Sequence, residues 1–359
     1  MLPSNWYFPT TRYRGSKRKI LPWIWESIKD LSFETCLDLF GGTGTVSLLF
    51  KWMGKQVTYN DYLFFNYQAA IALLENKSIK ITEEDLEFIF EDHSDILYNK
   101  FISNTFKGYF FLDEENVWLD KIVNNIFSLD RIYLLEELRI KRALAIYALG
   151  QACLVKRPFN LFHRKNLSLR TREVERSFGN KTTWEIPFPA AFQRYMEEAN
   201  LTIFDNGWEN KALCTNALEI HQNNYDLVYM DPPYFFPNQK DNDYRKLYHF
   251  IDGIARWEEW PDLVDYESIN LRFKDDDLSW HSKSTDGLIE IYSQLIERFQ
   301  DSIIVISHKS GSKVPIGTIK KLLNKKNKQV QMRRKRYNYA LNKKNGRPRQ
   351  NIEWLIIAT

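Results

Sequence analysis

Asp231-Pro232-Pro233-Tyr234 puts an acid, a stiff turn and an aromatic ring in four consecutive positions, directly after a strand-like run, Tyr225–Met230. Proline lacks an N–H and holds φ near −65°, so two in a row end the strand and leave the Pro232 carbonyl without a donor from its neighbour. Asp231 and that carbonyl can then both accept from one external donor. An NH2 group on a planar ring is such a donor, and Tyr234 can stack on the ring that carries it. A structural loop closing a buried strand is the plainer reading of the same residues. An acid, two prolines and an aromatic in that order are more than such a loop needs.

A second candidate is the stretch DLFGGTGTVS at 38–47. It follows a strand, Phe33–Leu39, and leads into an apolar helix pattern, Val46–Met53, closed by Gly54. Glycines at such a junction let the backbone pass under a ligand and open a helix N-terminus toward it. The spacing is not GxGxxG, so the dinucleotide fingerprint fails. The next strand, Gln56–Tyr59, runs into Asn60-Asp61, where an acid can hold a ribose diol as in doubly wound nucleotide-binding folds. An adenosine-bearing cofactor fits this pair of features; a ligand-free turn is the alternative. Upstream, Lys17, Arg18 and Lys19 precede an apolar helix start. By themselves they read as an exposed basic turn.

These candidates sit in a chain of 359 residues, 44% hydrophobic and 27% charged, enough for one large α/β domain or a domain with a sizeable insertion. A βαβ opening, a mostly helical stretch from about 68 to 200, and returning strands at 211–216, 225–230, 302–307 and 351–358 predict an α/β fold split by a helical insertion. The stretch Glu83–Tyr98 and the stretch Ile140–Val155 have helical periodicity, as do 284–300 and 315–324. Asn345-Gly346 predicts that an antiparallel hairpin ends the sheet. Three widely spaced cysteines, with no CxxC, suggest neither a disulfide framework nor a zinc site, and no metal is expected. No signal peptide or run of about 18 apolar residues is visible, so a cytoplasmic location is expected.

The net charge of +4 conceals an asymmetry: residues 302–352 carry fifteen Lys/Arg and no Asp/Glu, leaving 35 basic against 46 acidic residues elsewhere. A polyanionic partner or a solvated lysine-rich surface both account for that.

Taken together, the motifs resemble those of the amino-group DNA methyltransferases that use S-adenosylmethionine, in particular the adenine-N6 enzymes of the Dam and FokI-methylase type. The resemblance covers about 12–67 and 211–359. It rests on Asp231 to Tyr234 and on Phe40-Gly41-Gly42-Thr43-Gly44, a slightly shifted form of the family's glycine motif. It rests also on Tyr13, Gly15 and Lys17, and on Asp61 in YNDY. The stretches 244–253, 303–310 and 336–344 are similar to later family motifs, and the 155–184 stretch to the FokI-type methylases. Where the family carries an acid in a Gly-Asp-Ala-like run, CTNALEI has Asn216.

The order, with the lysine motif first, then the glycines, a long insertion and the Asp-Pro-Pro-Tyr, is that of the alpha group. The resemblance implies a Rossmann-like S-adenosylmethionine-dependent methyltransferase sheet at 1–67 and 205–359, with a C-terminal antiparallel hairpin. It implies a helical target-recognition insertion at 68–204. Tyr13, Gly15, Lys17, Asp38, Phe40 to Gly44, Asp61, Asn216 and Asp231 would bind the cofactor. Asp231, Pro232, Pro233 and Tyr234 would act on a flipped adenine in double-stranded DNA, since a base inside a duplex cannot reach such a turn. Asp rather than Ser at the first position favours adenine over cytosine-N4.

Residues 155–184 carry Lys156, Arg157, Arg164, Lys165, Arg170, Arg172, Arg176 and Lys181 against Glu173 and Glu175. Of these, Arg164, Lys165, Arg170, Arg172 and Lys181 are expected to contact DNA, with Tyr248 and His249 in the loop after the catalytic turn and Arg334 and Arg336 in the basic hairpin. A cognate restriction endonuclease is an expected partner, and a monomer the expected state, with a dimer as the alternative. RNA adenine, cytosine-N4 and a silent nucleic-acid-binding homologue are the rival functions.

Overall fold

The computed structural model describes residues 7–172, 181–236, 243–274, 283–337, 343–344, 347–348 and 351–359. Its centre is a seven-stranded sheet in the order β3-β2-β1-β4-β5-β9-β6. The strands are β1 (Thr35–Asp38), β2 (Gln56–Asn60), β3 (Lys211–Leu213), β4 (Leu227–Met230), β5 (Ile303–Lys309), β6 (Val330–Tyr337) and β9 (Asn351–Ala358). Two short pieces, β7 (Lys343–Lys344) and β8 (Arg347–Pro348), pair with each other in a separate two-stranded sheet. Strands β3, β2, β1, β4 and β5 run parallel; β9 pairs antiparallel with both β5 and β6. The turn Asn345-Gly346 lies outside the described residues.

The parallel strands are buried on both faces, as near-continuous apolar runs such as Leu227–Met230 require. Alternation divides them between two cores. Leu227, Tyr229, Val305, Leu355 and Ile357 face one apolar cluster; Val228, Met230, Ile304, Ile306 and Ile356 face the other. The helices Thr285–Arg298 and Ile316–Asn324 cover the second face. The first is covered by Leu21–Ile28, Thr45–Trp52 and the helices between Phe64 and Thr202, which share one continuous cluster with the sheet.

The helix Leu135–Val155 is the spine of that layer, apolar nearly all round as a fully surrounded helix should be. It begins five residues ahead of the predicted start. The helix expected over Glu83–Tyr98 stops at Phe90, because beyond it the apolar periodicity gives way to Glu91-Asp92 and the irregular stretch that follows. Residue 67, the expected end of the first catalytic segment, lies inside the helix Phe64–Ala70. Among the described residues no helix is long and apolar enough to cross a membrane.

The chain leaves β1 toward β2 and β3, then returns to β4 and continues to β5. The sheet therefore changes direction of growth between β1 and β4, and a crevice opens beyond their carboxyl ends. Asp38 ends β1 and Asp231 follows β4, so the two motifs found first in the sequence meet there.

Close packing of the helical layer depends on Gly150, where an added Cβ would come 2.1 Å from the Phe65 ring. Gly150→Ala should lower stability by about 1–3 kcal/mol through overpacking. The measurement is the urea midpoint at constant m; an unchanged midpoint would contradict the close contact.

Candidate active site

One cavity beyond β1 and β4 is lined by the N-terminal segment 13–17, the glycine turn, Asn60 to Leu63, Thr215 to Ala217 and Asp231 to Phe235. Every sequence-predicted cofactor residue except Gly44 lines it, and Gly44 lies immediately behind as N-cap of the helix Thr45–Trp52.

The glycine turn is shaped by β2. A Cβ on Gly41 would fall 2.0 Å from the Tyr59 ring, and Gly42 and Gly44 have φ of +53° and +68°, the left-handed region that glycine enters at little cost. The Tyr59 hydroxyl donates to the Gly42 carbonyl at 2.7 Å, and Gly42 N–H donates to Asp61 Oδ2 at 2.8 Å. Asp61 Oδ1 accepts from Leu63 N–H at 2.8 Å and from Asn66 at 3.1 Å. Asp61 is thus the clasp of the turn as well as a wall of the cavity. Burial raises its pKa to about 6 and that of Asp38 to about 7. Asp38 Oδ2 accepts the Ser47 hydroxyl at 2.6 Å. Asn216 caps the short turn Ala217–Glu219 through its side-chain oxygen, which accepts from Leu218 N–H.

Tyr13 stacks on Tyr248 with ring centroids 4.1 Å apart, and Tyr244 lies beyond at 5.6 Å from Tyr13. The Tyr248 hydroxyl also accepts Arg14 N–H at 2.9 Å. These contacts fasten the N-terminal segment across the helix Tyr244–Ala255 and carry Lys17 into the interior, where its side chain is 3% exposed.

Lys17 Nζ lies 2.9 Å from Asp231 Oδ1 and 3.0 Å from Glu353 Oε1. It donates to the Tyr234 hydroxyl at 3.0 Å and lies 4.9 Å from the centre of that ring. The Tyr234 hydroxyl is 2.6 Å from Asp231 Oδ1 and 2.8 Å from Glu353 Oε1. Ser307 donates to Glu353 Oε1 at 2.8 Å. Asp231 is 18% exposed, whereas Glu353 is wholly buried. Burial raises the Asp231 pKa; Lys17 opposes that shift and Glu353 adds to it.

Glu353 and Ser307 escaped the sequence reading. The one signal was an acid inside an otherwise apolar stretch of the last strand, Ile352 to Ala358, directly after fifty-one residues without one.

Three expected DNA contacts are corrected. Tyr248 and His249 do not lie in a loop but in the helix Tyr244–Ala255, fully buried. His249 bridges the Lys246 and Asn270 carbonyls at 2.9 and 3.1 Å, and burial lowers its pKa to about 4. Arg170, 8% exposed, forks onto both oxygens of Glu115 at 2.7 and 2.8 Å. Lys156 joins that pair at 2.8 Å, and Arg157 is buried against the Phe110 and His163 carbonyls, so much of the basic stretch is internal scaffolding. Arg164, Arg172, Arg334 and Arg336 are exposed. The side chains of Lys165 and Lys181, and all of Arg176, lie outside the described residues.

A crevice at the switch point, a glycine turn backed by an acid, and a carboxylate on a two-proline turn define a transferase that pairs a nucleotide-type cofactor with an amino acceptor. The chain belongs to the D12 class N6 adenine-specific DNA methyltransferase family, whose model matches residues 13–256. It is 29% identical to the type II methyltransferase M2.HphI of Haemophilus parahaemolyticus over 303 residues, 83% of this chain and 82% of that one. It is 25% identical to the type II methyltransferase M.FokI of Planomicrobium okeanokoites over 319 residues, and 28% identical to the modification methylase StsI of Streptococcus sanguinis over 263. Those alignments cover 44% and 36% of the latter two proteins, so this chain corresponds to about half of them or less.

Replacing Lys17 by Met would leave the wholly buried Glu353 and the partly buried Asp231 without their shared cation. The expected cost at neutral pH is about 3–5 kcal/mol of stability. The Asp231 pKa, which Lys17 holds down, would then lie further above its unfolded value, so the folded state would take up a proton that the unfolded state does not. The deficit should therefore be largest above the raised folded pKa and shrink as pH falls toward about 4. Urea denaturation of K17M and the parent from pH 8 to pH 5 measures it; a deficit that does not change with pH would contradict the pairing.

Proposed function

We propose that this chain is a site-specific methyltransferase of a restriction-modification system, acting on the N6 amino group of a flipped adenine in double-stranded DNA. The observation that carries the reading is that the glycine turn and the Asp231–Tyr234 turn line the same cavity. The cradle suits S-adenosylmethionine: Gly41 leaves the turn room that Tyr59 would deny a side chain, and Asp61 offers acceptors beside it. When bound, that cofactor supplies an electrophilic methyl group. The protein's part is to hold the acceptor in line and to meet developing charge. Asp231 and the Pro232 carbonyl accept the two amino N–H bonds of adenine, which favours a tetrahedral nitrogen and stabilises positive charge as it forms there. Tyr234, its hydroxyl tethered between Asp231 and Glu353, offers a fixed ring for the base.

The segment 68–204 serves target recognition in this reading. Among the expected contacts, Arg164, Arg172, Arg334 and Arg336 are exposed, and in this reading they meet phosphates or base edges. Two further exposed or half-exposed cations, Arg333 and Lys335, project by alternation to the face of the sheet that carries Glu353.

Incubation with tritiated S-adenosylmethionine and mixed DNA, then digestion to nucleosides, should give labelled N6-methyladenine from duplex DNA. Label in RNA alone, N4-methylcytosine, or no label would each exclude the reading. Asp231→Ala should abolish transfer while DNA binding survives.

Cofactor affinity supplies a further check. Asp61 ionises at about 6, so affinity should weaken as pH falls through that value. Asp61→Asn should cost about tenfold in affinity at pH 7.5, the worth of a charge-assisted hydrogen bond, and flatten the pH dependence. Calorimetric titration that finds the same affinity in both proteins would remove Asp61 from the cofactor site.

A further inference from the structure

We propose that Asn66 is a positioning residue for the cofactor: its amide fastens Asp61 to the Tyr13 hydroxyl, so that the acid and the N-terminal segment form one fixed wall of the cavity. The proposal rests on the reading of this cavity as the S-adenosylmethionine site.

Asn66 lies in the first turn of the helix Phe64–Ala70 and is 2% exposed. Its Nδ2 is 3.1 Å from Asp61 Oδ1 and 3.1 Å from the Tyr13 hydroxyl. An ionised carboxylate only accepts, so the NH2 of Asn66 and not its carbonyl must face Asp61. The NH2 carries two hydrogens, one for each partner. A buried asparagine between two polar groups can be plain scaffolding. Here both partners line the cavity, and one of them stands 53 positions away in the segment that carries Lys17.

Each end of this bridge controls part of the wall. Asp61 Oδ2 takes the Gly42 N–H, so the rotation of the carboxylate also sets the glycine turn. Asn66 and the Leu63 N–H fix that rotation through Oδ1. Tyr13 stacks on Tyr248, and offset stacking leaves a ring some freedom to slide. The contact at its hydroxyl restrains that slide.

The amide also bears on charge. Hydrogen bonds to the ionised form lower a carboxyl pKa, and Asn66, with Leu63 and Gly42, works in that way against the burial of Asp61. The titratable groups around Asp61 are Asp38 of β1, Tyr59 of β2, Tyr13, Cys214 after β3, and Tyr244 and Asp252 of the helix Tyr244–Ala255. Burial lifts the Cys214 thiol to about 12 and the three tyrosines above their ordinary range, which keeps all four neutral. Burial raises Asp252 against the nearby Arg256 and Arg245. Asp38, at about 7, accepts from Ser47 and not from Asn66, so its titration is a background shared by parent and variants.

The test is calorimetric titration with S-adenosylhomocysteine between about pH 6 and pH 8.5. Asn66→Ala should bind at least about tenfold more weakly than the parent. Its acid fall in affinity should begin at higher pH, because Asp61 loses a donor to its ionised form. Tyr13→Phe keeps the ring and its stack and removes only the hydroxyl. It should weaken binding about fivefold and leave the acid fall near that of the parent, since Asn66 still donates to Asp61. The double variant should bind within about twofold of Asn66→Ala, because both changes break one connection.

An Asn66→Ala protein with affinity within about twofold of the parent, or with an unmoved acid fall, overturns the proposal. So does a double variant that shows the product of the two separate losses, since amide and hydroxyl would then act independently. Should Asn66→Ala fail to fold, Tyr13→Phe decides: affinity within about twofold of the parent overturns the idea. Asp61→Asn in the same series separates the two levels. If it binds as the parent does, the reading of Asp61 fails and the role of Asn66 with it; if it binds weakly while Asn66→Ala is unaffected, only the role of Asn66 fails.

Discussion

An ammonium group held between a partly buried carboxylate and a wholly buried one is the constraint on which the site depends. Lys17, Asp231 and Glu353 come from the N-terminal segment, the end of β4 and the last strand. Taking such charges out of water is expensive, and a single cation between two acids recovers that cost only if each is held in place. Much of the surrounding structure does this holding. The tyrosine stack across the helix Tyr244–Ala255 brings in Lys17, the two prolines stop β4 at Asp231, and antiparallel pairing of β9 with β5 sets Glu353 opposite Lys309.

The same arrangement explains why the sheet ends as it does. A sixth parallel strand would need another crossover and would run its carboxyl end toward the cavity. An antiparallel β9 instead enters from the cavity side, so an early residue of the strand reaches Asp231. Its remaining residues, Leu355 to Ala358, are apolar and bury between two cores. One acid in that strand is tolerated because Lys17, Ser307 and Tyr234 converge on it.

The basic residues divide differently from their appearance in the sequence. Residues 155–184 read as a cationic surface, yet Lys156, Arg157 and Arg170 are sealed against Glu115 and backbone carbonyls. Long cationic side chains serve as well for tying loops to a helical layer as for meeting phosphates. Composition alone does not separate the two uses, since the deciding acid, Glu115, lies some forty to fifty-five residues away. His249 followed the same course: expected as a DNA contact in a loop, it is a buried bridge between two carbonyls.

By itself the sequence determined the chemistry that depends on adjacent residues. Two prolines after a strand, glycines between strand and helix, and an acid closing the next strand are local signals, because backbone geometry over a few residues dictates them. From these the α/β class, the switch-point motifs and the amino-group substrate were legible, as were most element positions. Tertiary structure alone decided which charges meet. Glu353 and Lys17 stand 336 positions apart, and Tyr13 reaches Tyr248 across most of the chain. No periodicity records such contacts; they exist because strand order and helix packing bring distant segments to one point, where burial makes each unpaired charge too costly to leave alone.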